Sequence, residues 1–93
     1  MGPVASAIRD KLTAALSPTL LQIDDESARH AGHAGSREGG ESHFHVTVES
    51  QAFAGQSAVS RQRRVYQVLA EELKGPVHAL SLTLRAPGEA SKS

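Results

Sequence analysis

The sequence predicts a small α+β domain in which helices cover one face of a three-stranded sheet, and three observations lead to that prediction. Apolar residues recur every three or four positions near the start of the chain and again past its middle, as in amphipathic helices. Three short segments have the apolar patterns of strands, and two of them alternate between apolar and polar residues. The 93 residues leave room for one domain with a small core.

The predicted elements follow one another in the order α-β-β-α(α)-β. The first helix ends before Ser17-Pro18, because the residue that precedes a proline disfavours the helical conformation. The second helical region ends at Gly75-Pro76 and is one helix or a short turn followed by a longer segment. We predict strands at residues 19–25, 43–49 and 77–85, a glycine-rich loop at residues 30–41, and a turn at residues 51–55 that folds Phe53 back onto the core.

Strand alternation assigns side chains to the two faces of the sheet. The second strand places Phe44, Val46 and Val48 on one face and its polar residues, His43 and His45 among them, on the other. In the last strand, His78 has the same parity as the three leucines that follow it, so we expect it on the helix side of the sheet. The eight residues from 86 to 93 have no apolar anchor, and we expect a disordered tail there.

Composition excludes several classes of protein. Zero cysteines exclude disulfides, thiolate metal sites and cysteine nucleophiles. Ten basic residues balance ten acidic ones, and there are three aromatic residues, so a generalised nucleic-acid binder is disfavoured. No apolar run approaches the roughly 20 residues that cross a bilayer. The chain also lacks a phosphate-binding loop, a nucleophile elbow and a metalloprotease motif, and a core this small leaves little room for a substrate pocket. We therefore predict that it is not an enzyme.

Five histidines are the unusual feature of the composition. His43 and His45 are either solvated strand residues or a two-histidine metal clip. His30 and His33 lie in the glycine-rich loop, where they are either unliganded or metal ligands. His78 is either a partly buried histidine satisfied by a backbone group or a ligand held at a helix–strand junction.

A basic cluster, Arg61, Arg63 and Arg64, begins the second helical region. Positive charge near a helix N-terminus opposes the helix dipole, and sequences break such local rules more often at functional surfaces. The cluster is either a solvated face or a contact surface for a partner or a nucleic acid.

Several short motifs occur in an order and at spacings that resemble the BolA family over roughly residues 4–85. The first half of the resemblance consists of Asp25-Glu26-Ser27, His30 and Gly40-Glu41-Ser42-His43-Phe44. The second half consists of Phe53-Ala54-Gly55, Arg61, Arg63, Val65-Tyr66, Leu69-Ala70-Glu71-Glu72-Leu73 and Val77-His78-Ala79-Leu80. The series is specific although each piece alone is weak, so the chain is identified as a member of this family, with its domain at residues 1–85.

The resemblance implies an α-β-β-α-α-β fold with a three-stranded mixed sheet, similar to the KH domain of the second type. It also implies a non-enzymatic partner of monothiol glutaredoxins that forms a heterodimer and shares a glutathione-ligated 2Fe–2S cluster, in cluster assembly or in iron and redox signalling. By the same resemblance the isolated chain binds no cofactor and is a monomer when alone.

The resemblance also assigns ligands to that cluster. His78 matches the C-terminal ligand histidine of the family, and His30 best matches the second ligand, which lies in the loop between the first two strands. This loop is longer than in compact relatives and contains His33 as an alternative ligand. Longer loops of this sort are plant-like, which implies an organelle, a plastid before a mitochondrion or the cytoplasm, although no targeting segment is visible in the chain.

Two other functions remain as alternatives. A nucleic-acid-binding regulator would use Arg61, Arg63 and Arg64 as phosphate contacts, and its affinity would fall steeply with salt. A histidine-rich metal buffer would have to bind zinc or copper without a partner, at the cost of ordering the loop.

Overall fold

A computed structural model describes residues 2–26 and 42–89 of the chain. Its elements are α1 (Pro3–Leu16), β1 (Leu20–Asp25), β2 (His43–Glu49), a 3₁₀ turn (Gln51–Phe53), α2 (Ala58–Val68), α3 (Ala70–Lys74) and β3 (Ala79–Arg85). The predicted α+β order is confirmed. The predicted loop at residues 30–41 lies outside the described residues.

The ends of the helices follow local chemistry. α1 ends at Ser17, which adopts the left-handed conformation (φ 45°) directly before Pro18. Ser57 caps α2 by accepting a hydrogen bond from the backbone N–H of Ser60 at 3.1 Å. The second helical region divides at Leu69 into a long helix followed by a short one. The alternative of a short turn followed by a longer segment is therefore wrong, because the chain leaves helical geometry at Leu69, which is buried in the core.

The sheet is mixed and has the order β1-β2-β3. β1 pairs antiparallel with β2, with Ile23 opposite Val46, and β2 pairs parallel with β3, with Val46 opposite Leu82. Apart from exposed Leu20 and Ala79, this register places the apolar residues of the three strands on one face, which α1 and α2 cover through contacts with β1 and β3. The opposite face has the polar residues of β2 and β3.

The core lies between that sheet face and the helices. Its largest fully buried side chains are Phe44, Phe53, Ile8, Leu12, Leu69, Val46, Val48 and Val65. Phe53 has no exposed surface, so the prediction that it folds back onto the core is confirmed. Buried Ser50 connects the elements, since its hydroxyl donates to the Leu16 carbonyl at 2.5 Å and accepts from the backbone N–H of Ala52 at 3.1 Å.

The chain continues to pack beyond the end of β3. Ala86 is 4% exposed, and its backbone N–H donates to a carboxylate oxygen of Glu89 at 3.0 Å. Glu89 also accepts two hydrogen bonds from Arg61, at 2.9 and 2.7 Å. The prediction of a disordered tail from residue 86 is therefore wrong for residues 86–89, because an ion pair and a buried alanine hold this segment where no large apolar anchor exists. Residues 90–93 lie outside the described residues.

Candidate functional site

The first strand positions of β2 and β3 meet at one end of the sheet. His43 lies opposite Ala79 in the parallel register. The carbonyl of Ser42, one residue earlier, accepts hydrogen bonds from the backbone N–H groups of His78 and Ala79, at 2.8 and 3.1 Å. Since Ser42 is 2% exposed, these bonds are shielded from water and fix the backbone at His78.

His78 combines an anchored backbone with an exposed side chain. The preceding residue, Val77, is 3% exposed, and its N–H donates to the carbonyl of Glu72 at 2.9 Å. His78 itself is exposed. Of the two alternatives for His78, the partly buried histidine is wrong, because the residue is exposed. β3 begins at Ala79, so the alternation of the strand does not extend back to residue 78. The imidazole is therefore accessible to another molecule.

The segment between β1 and β2 begins and ends at this same end of the sheet. Asp25, the last residue of β1, lies opposite Phe44, and the chain re-enters the sheet at Ser42, which is hydrogen-bonded to His78. His30 and His33 belong to this connecting segment and lie outside the described residues. The topology therefore attaches both ends of their segment close to His78.

An ion pair on the helix side supports the junction. Lys11 of α1 lies 2.7 Å from a carboxylate oxygen of buried Glu72 and 3.3 Å from a carboxylate oxygen of Glu71. The hydrogen bond to Glu72 raises the pKa of Lys11 above its ordinary value. The other carboxylate oxygen of Glu72 is buried without a partner in the described part of the chain. Because the carbonyl of Glu72 holds Val77, this pair connects α1 to the residue before His78.

The two histidines of β2 have polar neighbours on the open face of the sheet. The ring nitrogens of His45 lie 2.7 Å from the Ser81 hydroxyl and 3.0 Å from the Thr83 hydroxyl. Nδ1 of His43 lies 2.8 Å from the Ser42 hydroxyl. Since both nitrogens of His45 are engaged with hydroxyls, the geometry favours a structural role for it over a two-histidine metal clip.

Arg61 has a structural position at the opposite end of β3. Besides its two bonds to Glu89, its guanidinium donates to the carbonyl of Phe53 at 3.1 Å and lies 5.9 Å from the centroid of the Phe53 ring. Its side chain is 13% exposed. The hydrogen bond from Arg61 lowers the pKa of Glu89 to about 2. These contacts favour a structural role for Arg61, and its contact with a partner or nucleic acid stays a prediction.

Arg63 and Arg64 are placed differently from Arg61. Both are exposed, and neither forms an ion pair within the described part of the chain. They border a shallow cavity of about 400 Å³ on the outer side of α2, together with Phe53, Gln56, Ser60, Arg61 and Gln67. Of the basic cluster, these two residues remain available to an anionic partner.

The donor set of this site suits a shared metal centre better than a self-contained one. Within residues 2–26 and 42–89, no three His, Cys, Asp or Glu side chains are grouped closely enough to hold a metal ion. The full sequence contains no cysteine, so this chain has no thiolate to offer a metal. One exposed imidazole on a fixed backbone fits the role of a single ligand contributed to a cluster that a partner also binds. In the same ranges, no helix has the length and apolar character needed to span a membrane.

Comparison with known proteins agrees with this fold and this motif series. The family model for BolA-like protein matches residues 12–89, and the chain belongs to this family. The mouse BolA-like protein 1 is 49% identical over 95% of this chain, which spans 61% of that protein. A solved BolA domain of SufE1 from Arabidopsis thaliana has a TM-score of 0.84 and 41% identity, with 97% of this chain and 99% of that domain covered.

Two further relatives differ in their names and lengths. SufE-like protein 1, chloroplastic/mitochondrial, from the same plant is 42% identical over 96% of this chain, which covers 25% of that protein. The Escherichia coli protein named DNA-binding transcriptional regulator BolA is 46% identical over 85% of this chain, which covers 71% of it. The family matched is BolA-like, and these comparisons indicate no catalytic family.

Two contacts at the site were beyond sequence reasoning. The Ser42 carbonyl that fixes His78 is a backbone group, so its role depends on strand register rather than on residue type. The Arg61–Glu89 pair joins residues 28 positions apart. A lone glutamate beyond the last strand, in a segment without apolar residues, was the signal that could have indicated an ionic anchor there.

Proposed function

We propose that the chain is a non-enzymatic partner of monothiol glutaredoxins, with which it shares a glutathione-ligated 2Fe–2S cluster. His78 would be one ligand, and His30, or alternatively His33, would be the second. The observation that carries this proposal is the exposed imidazole of His78 on a backbone fixed by two hydrogen bonds to Ser42. The family to which the chain belongs supports the choice of partner.

The ligand chemistry explains why such a chain would need a partner. It has imidazoles but no thiolates, so a partner and its glutathione would supply the sulfur. When bound, the cluster would supply a centre that carries one electron or is itself transferred, in iron–sulfur assembly or in iron and redox signalling. His78 and the loop histidine would bind iron through the ring nitrogens of neutral imidazoles.

The test is a titration of cluster-loaded monothiol glutaredoxin with this chain, followed by visible absorption and circular dichroism. We expect a new spectrum that saturates at one to one. His78→Ala should abolish it, and separate His30→Ala and His33→Ala variants would identify the loop ligand. The matched control is His45→Ala, which removes an imidazole that is already engaged with Ser81 and Thr83 and should leave the spectrum unchanged.

A second measurement separates loss of a ligand from loss of the fold. Far-ultraviolet circular dichroism and the melting temperature of each variant should match those of the wild type. A folded His78→Ala protein that still gives the wild-type spectrum would contradict the ligand assignment. An unchanged glutaredoxin spectrum with wild-type protein would contradict cluster sharing altogether.

One observation supports nucleic-acid binding as a second candidate function. Arg63 and Arg64 are exposed on α2 beside a cavity, and the Escherichia coli relative is named as a DNA-binding regulator. If these side chains contact phosphates, the affinity for duplex DNA should fall with salt and with an Arg63→Gln/Arg64→Gln double substitution. Binding that depends on neither would exclude this function for the helix.

We further propose that the protein acts in an organelle, with a plastid as the favoured compartment. The support is the naming of the plant relative as chloroplastic/mitochondrial. Fluorescent fusions of the complete native gene product, expressed in plant cells, would test it. A signal confined to the cytoplasm would contradict the proposal.

A further inference from the structure

The outer edge of β3 is not paired with another strand within the described part of the chain. The backbone N–H of Ala79 and the carbonyl of Arg85 bond to Ser42 and Ser50, on the β2 side. Because successive residues of a strand face opposite directions, the N–H and C=O groups of Leu80, Leu82 and Leu84 point away from β2. The carbonyl of Leu84 has one side-chain donor, Arg61, at 3.5 Å.

Apart from the contact of Arg61 with the Leu84 carbonyl, this edge lacks the features that usually protect a sheet edge. Charged residues, prolines and bulges discourage pairing with another chain, yet the segment from Ala79 to Leu84 contains none of them. The side chains of Leu80, Leu82 and Leu84 are only half-buried, whereas their neighbours on β2 are fully buried. Leu82 and Leu84 line a groove of about 220 Å³ with Ala58, Arg61 and Gln62 of α2.

The adjacent side of α2 extends this apolar surface. At 100° per residue, Val59 and Tyr66 lie about 60° and 40° from Gln62 around the helix axis, both in the same direction, so they adjoin one side of the groove. Val59 is 57% exposed and Tyr66 is 40% exposed. They are two of the three large apolar residues that are exposed in the described ranges, and the third, Leu20, lies on β1 at the other edge of the sheet.

The sequence of β3 is self-complementary about Leu82. If two copies pair antiparallel through a two-fold axis at Leu82, Leu80 lies opposite Leu84 and Ser81 lies opposite Thr83. The same register places Arg85 opposite Ala79, so no like charges meet. Leu82 lines the same groove as Gln62, so a second copy paired about Leu82 would also lie against this side of α2.

We infer that the β3 edge and the adjacent side of α2 form an interface between two copies of this chain. The product would be a continuous six-stranded sheet with two-fold symmetry. The resemblance implies a monomer when the chain is alone, and the proposed interface would add a monomer–dimer equilibrium that depends on concentration. The inference does not depend on the proposed function, because the interface uses neither His78 nor a cluster.

Sedimentation equilibrium from about 10 µM to about 1 mM protein is the first measurement. We expect dimer to accumulate over this range. Val59→Glu should weaken dimerisation by about tenfold or more, because it places a charge in a desolvated contact, and a glutamate in the first turn of α2 is favourable for the helix itself. The matched control is Leu20→Glu, which alters an exposed apolar residue at the opposite edge and should leave the equilibrium unchanged.

Amide hydrogen exchange at the same concentrations identifies the interface. The amides of Leu80, Leu82 and Leu84 should exchange rapidly in dilute protein and more slowly as dimer forms. A dimer in which these three amides stay unprotected would overturn the inference, as would a protein that remains monomeric at the highest concentration. Protection that appears only when glutaredoxin is added would also overturn it and would assign the edge to a partner strand.

Discussion

The two ends of β3 contain the two most conspicuous polar motifs of the chain, and the fold uses them in opposite ways. At the start of β3, the backbone of His78 is hydrogen-bonded to Ser42 while the side chain is exposed. At its end, Arg61 donates to Phe53 and Glu89, and its side chain is largely removed from solvent. The difference shows that an unusual polar residue in a motif can serve either to contact another molecule or to stabilise the fold. Only the placement of its side chain distinguishes these roles.

The largest expected loss of stability comes from removing the ring of Phe53, which lies beneath the Arg61 guanidinium. Phe53 has no exposed surface, so Phe53→Ala should lower the free energy of unfolding by about 3–5 kcal/mol through lost burial and the remaining cavity. Urea denaturation followed by circular dichroism measures this change. Tyr66→Ala, which truncates a half-exposed aromatic residue on the adjacent helix, is the control and should have a much smaller effect. Equal losses of unfolding free energy in the two variants would contradict the burial of Phe53 in the core.

A smaller effect is expected when Arg61 itself is changed. Arg61→Gln should lower the melting temperature, because Glu89 and the Phe53 carbonyl lose their charged donor. Arg63→Gln should leave the melting temperature unchanged, since Arg63 is exposed and forms no ion pair in the described ranges. Scanning calorimetry of both variants at neutral pH makes the comparison. If both variants melt at the wild-type temperature, the support assigned to Arg61 would be wrong.

Acid should weaken the ion pair between Arg61 and Glu89 in a defined pH range. Arg61, followed by the backbone N–H of Ala86, lowers the pKa of Glu89 from 4.5 to about 2 in the folded protein. Because the folded pKa is the lower one, this stabilisation is present above pH 4.5 and is lost as the pH falls towards 2. Glu89→Gln should therefore reduce the loss of stability over that range. The Glu89→Gln variant should still lose some stability in acid, because Glu49 also has a lowered pKa. Its causes are a hydrogen bond from Thr19 and a smaller contribution from Arg85.

Thermal melts of the wild type and Glu89→Gln at several pH values between 2 and 5 would measure this difference. Lys74→Gln is the control, because it removes an exposed charge that is remote in sequence from Glu89. Parallel curves for the wild type and Glu89→Gln would show that Glu89 does not contribute to the acid response.

Sequence reasoning predicted the fold well because the fold depends on periodic patterns. The alternation in β2 corresponds to its observed burial, and Ser17-Pro18 and Gly75-Pro76 mark where helices end. The errors concern single side chains whose placement depends on distant residues. For Arg61 the sequence suggests either a solvated face or a contact surface, and neither alternative includes Glu89, the internal ion-pair partner that lies beyond the last strand. The alternation of the last strand does not reach His78, because β3 begins at Ala79, and so it does not determine how far this residue is buried.

The smallest expected change in stability is the one that best separates the two ends. His78 is exposed and is anchored through its backbone, which alanine retains, so His78→Ala should alter the free energy of unfolding by no more than about 0.5 kcal/mol. Urea denaturation measures this directly, with Arg61→Gln as the comparison at the other end of β3. A large loss in His78→Ala would mean that the imidazole supports the fold as Arg61 does. A residue that contributes little to folding yet has its backbone fixed by Ser42 is instead suited to binding something outside the chain.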